Sequence, residues 1–115
     1  MKTHKDLDVW QRGIQLVLDV YTITKGFPKE DIYSLVSQMR RAAVSIPSNI
    51  AEGAARKYDK EFVQFLYIAI GSLSELETQI IIGEKLNYIS PEMTANLYDE
   101  ISDIKKMLLG LIKYV

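Results

Sequence analysis

Apolar residues recur at intervals of three and four along nearly the whole chain, in four segments that short polar, glycine- or proline-containing stretches separate. This period places the apolar residues of each segment on one face of an α-helix. No segment alternates apolar and polar residues as a half-buried strand does, and no hairpin dipeptide is present. Because short connections make sequential helices antiparallel, the pattern predicts an all-α, up-down-up-down four-helix bundle, with residues 1–115 as a single domain.

Start and stop signals give approximate bounds for these helices. The predicted helices run from Asp8 to Lys25, from Glu30 to Arg56, from the candidate N-cap Asp59 to Leu86, and from the Ser90-Pro91 cap to the end of the sequence. The inward positions predicted on the second and fourth helices include Ile32 and Met93, respectively.

Pro47 lies in the middle of the second predicted helix. Proline has no amide hydrogen and its ring crowds the carbonyl of Ala43, so we expect the helix to be kinked there. A structural polar ladder follows one edge of the same helix at steps of four and three, and its members are Arg41, Ser45, Asn49 and Glu52, with Arg56 next. The ladder is compatible with an internal pair between Arg41 and either Glu52 or Glu75. A segment of this kind favours a role in packing or assembly.

The third helix carries more apolar surface than one bundle core needs. Its main stripe comprises Phe62, Leu66, Ala69, Leu73, Leu76, Ile80 and Gly83. A second stripe of the same period is shifted by one residue and includes Val63, Tyr67, Ile70, Glu77 and Ile81. A helix that is apolar beyond its inward face is usually covered by something else, so we favour a subunit interface for this second stripe. The alternative is a wide core face with a few exposed isoleucines.

Composition limits the chemistry of the chain. Fourteen basic and fifteen acidic residues give a net charge of −1, which argues against a general polyanion binder but leaves room for a local basic patch. Cysteine is absent and His4 is the only histidine, so neither a cysteine site nor the Glu-x-x-His metal site of helical bundles can be assembled. No phosphate-binding loop or nucleophile motif occurs. We therefore expect a protein that is not an enzyme and has no metal or cofactor.

The chain also lacks the segments that direct a protein to a membrane. Its start does not read as a signal peptide, and no apolar run approaches the roughly 18 residues of a membrane span. We expect a soluble, cytoplasmic protein with no membrane partner.

Basic residues cluster near the end of the second helix. Arg56, Lys57 and Lys60 surround Tyr58, and Arg40 with Arg41 forms a second group about four turns earlier. These cations can neutralise phosphates, and an exposed tyrosine can stack on an unpaired base, so the six residues form a candidate nucleic-acid surface. The alternative is a solvated helix end, where cations also favour the helix dipole.

The run Ser45-Ile46-Pro47-Ser48-Asn49-Ile50-Ala51-Glu52-Gly53, with Asp6-Leu7-Asp8-Val9-Trp10, Phe27-Pro28 and Ser74-Glu75-Leu76-Glu77, resembles the four-helix proteins encoded in intervening sequences of bacterial 23S ribosomal RNA genes. The chain is more distantly similar to the accessory protein of diversity-generating retroelements. This resemblance implies a ring-shaped homopentamer, with a dimer as the second choice. For the retroelement branch it also implies contact with a reverse transcriptase and with nucleic acid.

Two functions of different classes therefore stay open. One is an accessory module that acts through the basic surface on RNA or DNA and through a protein partner. The other is a scaffold homo-oligomer that binds no nucleic acid.

Overall fold

The structure is a computed structural model that describes residues 3–115, and four long α-helices account for most of that range. Their bounds are α1 Asp8–Thr24, α2 Ser37–Ala54, α3 Asp59–Lys85 and α4 Pro91–Tyr114. A short 3-10 helix precedes α1, and a 3-10 turn with a π-helical segment precedes α2. Residues 3–115 contain no strand. The prediction of an all-α fold with four helices is confirmed.

Each helix contacts two others: α1 packs on α2 and α4, and α3 packs on the same two helices. The contacts between α1 and α2 fix their relative direction. Arg40 near the start of α2 reaches Thr24 at the end of α1, whereas Pro47 lies beside Gly13 in the first half of α1. The two helices therefore run in opposite directions, and the four helices enclose one apolar core.

The inward stripe predicted for α3 is confirmed. Leu66, Ala69, Leu73, Leu76 and Ile80 are each at most 1% exposed. They pack against buried residues of the three other helices, among them Leu16, Met39, Ile50 and Leu108. These residues form one continuous buried core, which is what stabilises a domain of about this size.

The start of the second helix differs from the prediction. The α-helix begins at Ser37, and Lys29–Asp31 form a 3-10 turn that leads into a π-helical segment, Ile32–Val36. Leu35 and Val36 nevertheless face the core, as α-helical spacing predicts. The prediction that Ile32 points inward is wrong, since its side chain is 45% exposed.

The fourth helix differs at its first turn. Met93 is 41% exposed, so its predicted inward position is wrong, and Thr94 is buried in its place. The Thr94 hydroxyl donates a hydrogen bond of 2.9 Å to the carbonyl of Ser90, which allows a polar residue to be buried there. The predicted cap is confirmed, because the Ser90 hydroxyl accepts a 3.1 Å hydrogen bond from the amide of Met93.

The predicted cap of α3 is wrong. Asp59 is the first helical residue, and Tyr58 occupies the N-cap position without a side-chain hydrogen bond. At the other end of α3, Asn87 has a φ of 64°. Asparagine tolerates this left-handed conformation, which ends the helix.

Pro47 lies inside α2 and is buried against α1. A methyl group built at Gly13 would be 3.5 Å from Pro47 Cβ, an ordinary van der Waals distance. The proline ring is therefore part of the α1–α2 contact. The kink that the sequence predicts at this position stays a prediction.

Helix α3 corrects the expectation that no segment has the length and composition of a membrane span. It is long and apolar enough to cross a bilayer, although only 33% of the apolar window is buried in the bundle. The core helix of a soluble bundle passes the same test, and α3 supplies the inward stripe described above. Its remaining apolar surface lies outside the core.

Candidate subunit and nucleic-acid interfaces

The polar ladder of α2 separates into two unconnected parts. In the first part, the Asn49 side-chain amide donates to the Ser45 carbonyl at 2.7 Å and to Ser45 Oγ at 2.8 Å. Ser45 Oγ lies 2.8 Å from Ser72 Oγ on α3, and the Ser72 hydroxyl donates to the carbonyl of Ile68. This chain of hydrogen bonds joins α2 to α3 within their apolar contact. Ser72 was not predicted, because residue spacing within α2 carries no information about its neighbour on α3.

In the second part of the ladder, Arg56 donates to Glu52 at 3.1 Å, one helical turn away. The predicted internal pair between Arg41 and an acid does not form. Arg41 and Glu52 are eleven residues apart, roughly 16 Å along a helix, which is too far for an ion pair. Within residues 3–115, no carboxylate lies within 4.0 Å of Arg41.

The six predicted nucleic-acid residues do not form one surface. Arg40 and Arg41 are separated from Arg56 by about 22 Å of helix. Arg56 also lies 4.8 Å above the ring of Phe65, and Lys57 lies 5.5 Å from the ring of Tyr58. Tyr58 and Lys60 are exposed beside them. The distal group of Arg56, Lys57, Tyr58 and Lys60 is therefore compact, and Glu52 neutralises part of its charge.

The proximal group lies at an open groove between α1 and the start of α2. The groove has a volume of about 600 Å³ and is lined by both arginines and apolar or hydroxyl side chains: Tyr21, Ile32, Tyr33, Val36, Ser37, Arg40, Arg41, Val44 and Ser45. No lining residue is acidic. Arg40 is fixed against the wall, since its Nε donates to Thr24 Oγ1 at 3.0 Å and its guanidinium lies 4.4 Å above the Tyr21 ring.

The outer face of α3 carries the predicted interface residues, but its centre is displaced from them. Tyr67 is 55% exposed and Glu77 is also exposed, whereas Val63, Ile70 and Ile81 are half-buried. Ile70 packs against the bundle core.

The most exposed apolar residues of this face are Tyr67 together with Ile68 and Ile82, which are 50% and 43% exposed. They lie within roughly 100° of the helix surface, a sector that also contains the exposed side chains of Glu75 and Thr78. Gly71 lies between them, and a methyl group built there would meet no atom within 4 Å. We refer to Tyr67, Ile68, Gly71 and Ile82 as the outer α3 face.

A pair of carboxyl groups lies between α1 and α4. Burial raises the pKa of Glu100 to about 7, and the hydrogen bond to Asp19 and the charge of Asp19 act in the same direction. The Arg12 guanidinium, which pairs with Asp103 at 3.3 Å, lowers this pKa. Residues 3–115 contain no group of three or more histidine, aspartate or glutamate side chains that could hold a metal ion. The hydrogen bond to Asp19 on the other helix favours the protonated form of Glu100.

Comparison with known proteins adds a family and a fold. The sequence model of a family described as 23S rRNA-intervening sequence protein matches residues 5–110. The structure is similar to the crystal structure of a protein of unknown function of the S23 ribosomal protein family from Bacteroides thetaiotaomicron, with a TM-score of 0.84 and 23% sequence identity. The alignment covers 91% of this chain and 95% of that one, so the two share their fold throughout. No curated protein matches the chain.

Proposed function

Since the chain belongs to the 23S rRNA-intervening sequence protein family, we propose that it is a non-enzymatic helical protein that assembles into a ring and associates with RNA in the cytoplasm. The observation that carries this proposal is the outer α3 face, whose large apolar side chains are exposed on a helix whose apolar window is only 33% buried within its own bundle.

The outer α3 face supports assembly through the hydrophobic effect. Covering exposed apolar area contributes roughly 25 cal/mol per Å². Gly71 leaves the helix backbone accessible one turn after Tyr67 and Ile68, so another helix can approach closely there. A face that docks on a different surface of the next subunit closes into a cyclic ring. Five subunits are the number that the resemblance implies, and a dimer is the second choice.

The two basic groups support an association with nucleic acid. Arg41 has no ion pair with any residue of 3–115, and Lys57 and Lys60 are exposed just after the end of α2. A net charge of −1 provides no attraction at long range, so binding depends on these local groups. In a ring each group is repeated once per subunit, and weak contacts then add through multivalency.

A specific observation favours the second function, a scaffold ring that binds no nucleic acid. Arg56 pairs with Glu52, and Arg40 is occupied by Thr24 and Tyr21. Glu52 neutralises part of the charge of the distal group, and the contacts of Arg40 use one of its donors within the protein.

The test measures mass and RNA binding on the same preparation. Light scattering coupled to size exclusion is expected to give five times the monomer mass of 13.1 kDa. Fluorescence anisotropy at low salt is expected to detect binding of single-stranded RNA, with weaker binding by an Arg56→Ala/Lys57→Ala/Lys60→Ala variant. The matched control is Lys105→Ala/Lys106→Ala, which removes exposed cations of α4. A monomer contradicts the ring, and an assembly that binds no RNA leaves the scaffold function.

The retroelement resemblance adds one proposed partner, a reverse transcriptase. Co-expression with a reverse transcriptase encoded beside the gene is the direct test, and co-elution at the mass of a complex is the expected result. Separate elution of the two proteins contradicts this partner without affecting the ring.

A further inference from the structure

The groove between α1 and the start of α2 combines free positive charge with apolar walls. Its volume of about 600 Å³ lies within the range of sites that hold a nucleotide-sized ligand. Arg41 is exposed and has no carboxylate within 4.0 Å among residues 3–115. The groove has no acidic lining residue, so its charge complements an anion.

Two tyrosines supply flat surfaces in the same groove. Tyr33 is 96% exposed at the rim, and Tyr21 is partly exposed on the wall. The guanidinium of Arg40 lies 4.4 Å above the Tyr21 ring and is held by Thr24, so this stacked pair is fixed before any ligand arrives. Aromatic rings and stacked guanidinium groups are the surfaces on which unpaired bases stack.

Tyr33 lies in the π-helical segment Ile32–Val36. In this segment Leu35 and Val36 are buried in the core, whereas Ile32 and Tyr33 are exposed and line the groove. Single π turns are uncommon and occur frequently at functional sites. An almost fully exposed tyrosine on such a turn, beside an unpaired arginine, is difficult to explain by packing.

We propose that this groove binds an unpaired nucleotide of single-stranded RNA, with the base stacked on Tyr33 and the phosphate held by Arg41. This inference rests on the proposed association with RNA and assigns its base-binding site to the proximal group. Arg41 can donate two parallel hydrogen bonds to phosphate oxygens. An acidic peptide would satisfy the charge but would leave the tyrosine ring without a stacking partner, so RNA is the better match.

The experiment measures binding of a short fluorescein-labelled oligouridylate by anisotropy. Tyr33→Ala is expected to weaken binding roughly 5- to 100-fold, the range that loss of one base–aromatic stack produces, whereas Tyr33→Phe is expected to bind like wild type. Arg41→Ala is expected to weaken binding and to make its salt dependence shallower by about 0.7 in the log–log slope. The matched controls are Tyr114→Ala and Lys106→Ala, which remove an exposed tyrosine and an exposed cation of α4 and are expected to have no effect.

The variants separate failure of this inference from failure of the proposed function. If Tyr33→Ala and Arg41→Ala bind like wild type while the Arg56/Lys57/Lys60 variant loses binding, RNA binds at the distal group and the groove proposal is overturned. Equal binding of duplex RNA also overturns it, because paired bases cannot enter the groove. If wild type binds a glutamate-rich peptide in the groove and no RNA, both proposals fail. Circular dichroism checks that each variant keeps its helices.

Discussion

Gly53 on α2 lies so close to Phe65 on α3 that a methyl group built on the glycine would be 2.7 Å from Phe65 Cβ. The same methyl group would be 2.9 Å from Phe62 Cδ1 and 3.3 Å from the Phe62 carbonyl oxygen. Backbone atoms of α3 cannot move away as a side-chain end can, so this helix contact requires glycine. Gly53 ends the Ser45–Gly53 run on which the family resemblance rests, and its role there is packing.

Gly53→Ala is expected to destabilise the protein by about 1–3 kcal/mol, because the helix contact must open to admit the methyl group. The matched control is Gly110→Ala on α4, where a methyl group would meet no described atom within 4 Å. That change is expected to raise the free energy of unfolding by roughly 0.5–1 kcal/mol, since alanine loses less backbone entropy than glycine in a helix. Urea unfolding at one protein concentration measures both. Equal effects of the two substitutions would contradict the assigned contact.

Asn49→Ala is expected to cost about 1–2 kcal/mol, because it removes the donor to the Ser45 carbonyl and hydroxyl. Asn49→Asp is expected to cost more, since it places acceptor oxygens against the Ser45 carbonyl. Ser48→Ala on the exposed side of the same turn serves as the control and is expected to be close to neutral. Thermal unfolding ranks the three variants. A stable Asn49→Asp protein would show that the hydrogen-bond chain contributes nothing.

A charge on the outer α3 face is expected to dissociate the assembly without unfolding the subunit. Ile68→Glu is expected to lower the mass from light scattering to the 13.1 kDa monomer with unchanged helix content. Ile70→Glu, at the half-buried neighbour that packs on the core, is expected to lose stability as well. Leu109→Glu changes an exposed leucine of α4 and serves as the control. If only the control dissociates, the interface lies on α4.

Stability is expected to depend on pH through Glu100. Its pKa rises from 4.5 to about 7 on folding, so the folded state holds the proton more tightly. The resulting stabilisation is complete below pH 4.5 and is lost as the pH rises to about 7. Glu100→Gln is expected to remove this part of the pH dependence, whereas Asp99→Asn, an exposed neighbour, is expected to retain it. Urea unfolding between pH 5 and 8 measures the slope of the unfolding free energy against pH. Identical slopes in wild type and Glu100→Gln would contradict the raised pKa of Glu100.

RNA affinity is expected to fall steeply with salt, by roughly 0.7 in log K per unit of log salt for each phosphate neutralised on a single strand. The Arg56→Ala/Lys57→Ala/Lys60→Ala variant is expected to have a shallower slope, and Ile68→Glu is expected to weaken binding because the ring no longer multiplies the contacts. Anisotropy titrations over a salt series provide both values. Slopes that are equal in wild type and the triple variant would mean that the distal group is only a solvated helix end.

The sequence predicts the core best where the helix is regular. In α3 every residue advances by about 100°, so spacing alone places Leu66 through Ile80 on one face. The rule fails at Ile32, where 3-10 and π turns replace the α-helix, although it places Leu35 and Val36 correctly. No side-chain pattern signals these turns, so α-helical spacing alone predicts an inward Ile32.

The candidate site is less predictable than the core, because it depends on contacts between helices. Residue spacing correctly places Ser45 and Asn49 on one edge of α2. It does not predict the Ser72 hydroxyl of α3, which completes their hydrogen bonds. Clustering in sequence groups Arg40 with Arg41, although Arg40 is fixed on Tyr21 and Arg41 pairs with no acid in the part of the chain that the structure describes. The groove is formed by α1, the π turn and the start of α2 together. The sequence of none of these segments alone predicts it.

The groove depends on the number of residues in the π-helical segment, so substitution of single side chains does not easily remove it. A π turn contains about one residue more than an α turn of similar rise, so it amounts to a one-residue insertion accommodated without disturbing the core that follows. Removing one residue from Ile32–Val36 would restore an ordinary turn and rotate Tyr33 by about 100° away from Arg41. Helix α2 and its contact with α3 would keep their register. Deletion of a single residue would thus remove the groove and keep the bundle fold. Relatives can therefore share the bundle fold and differ in the groove.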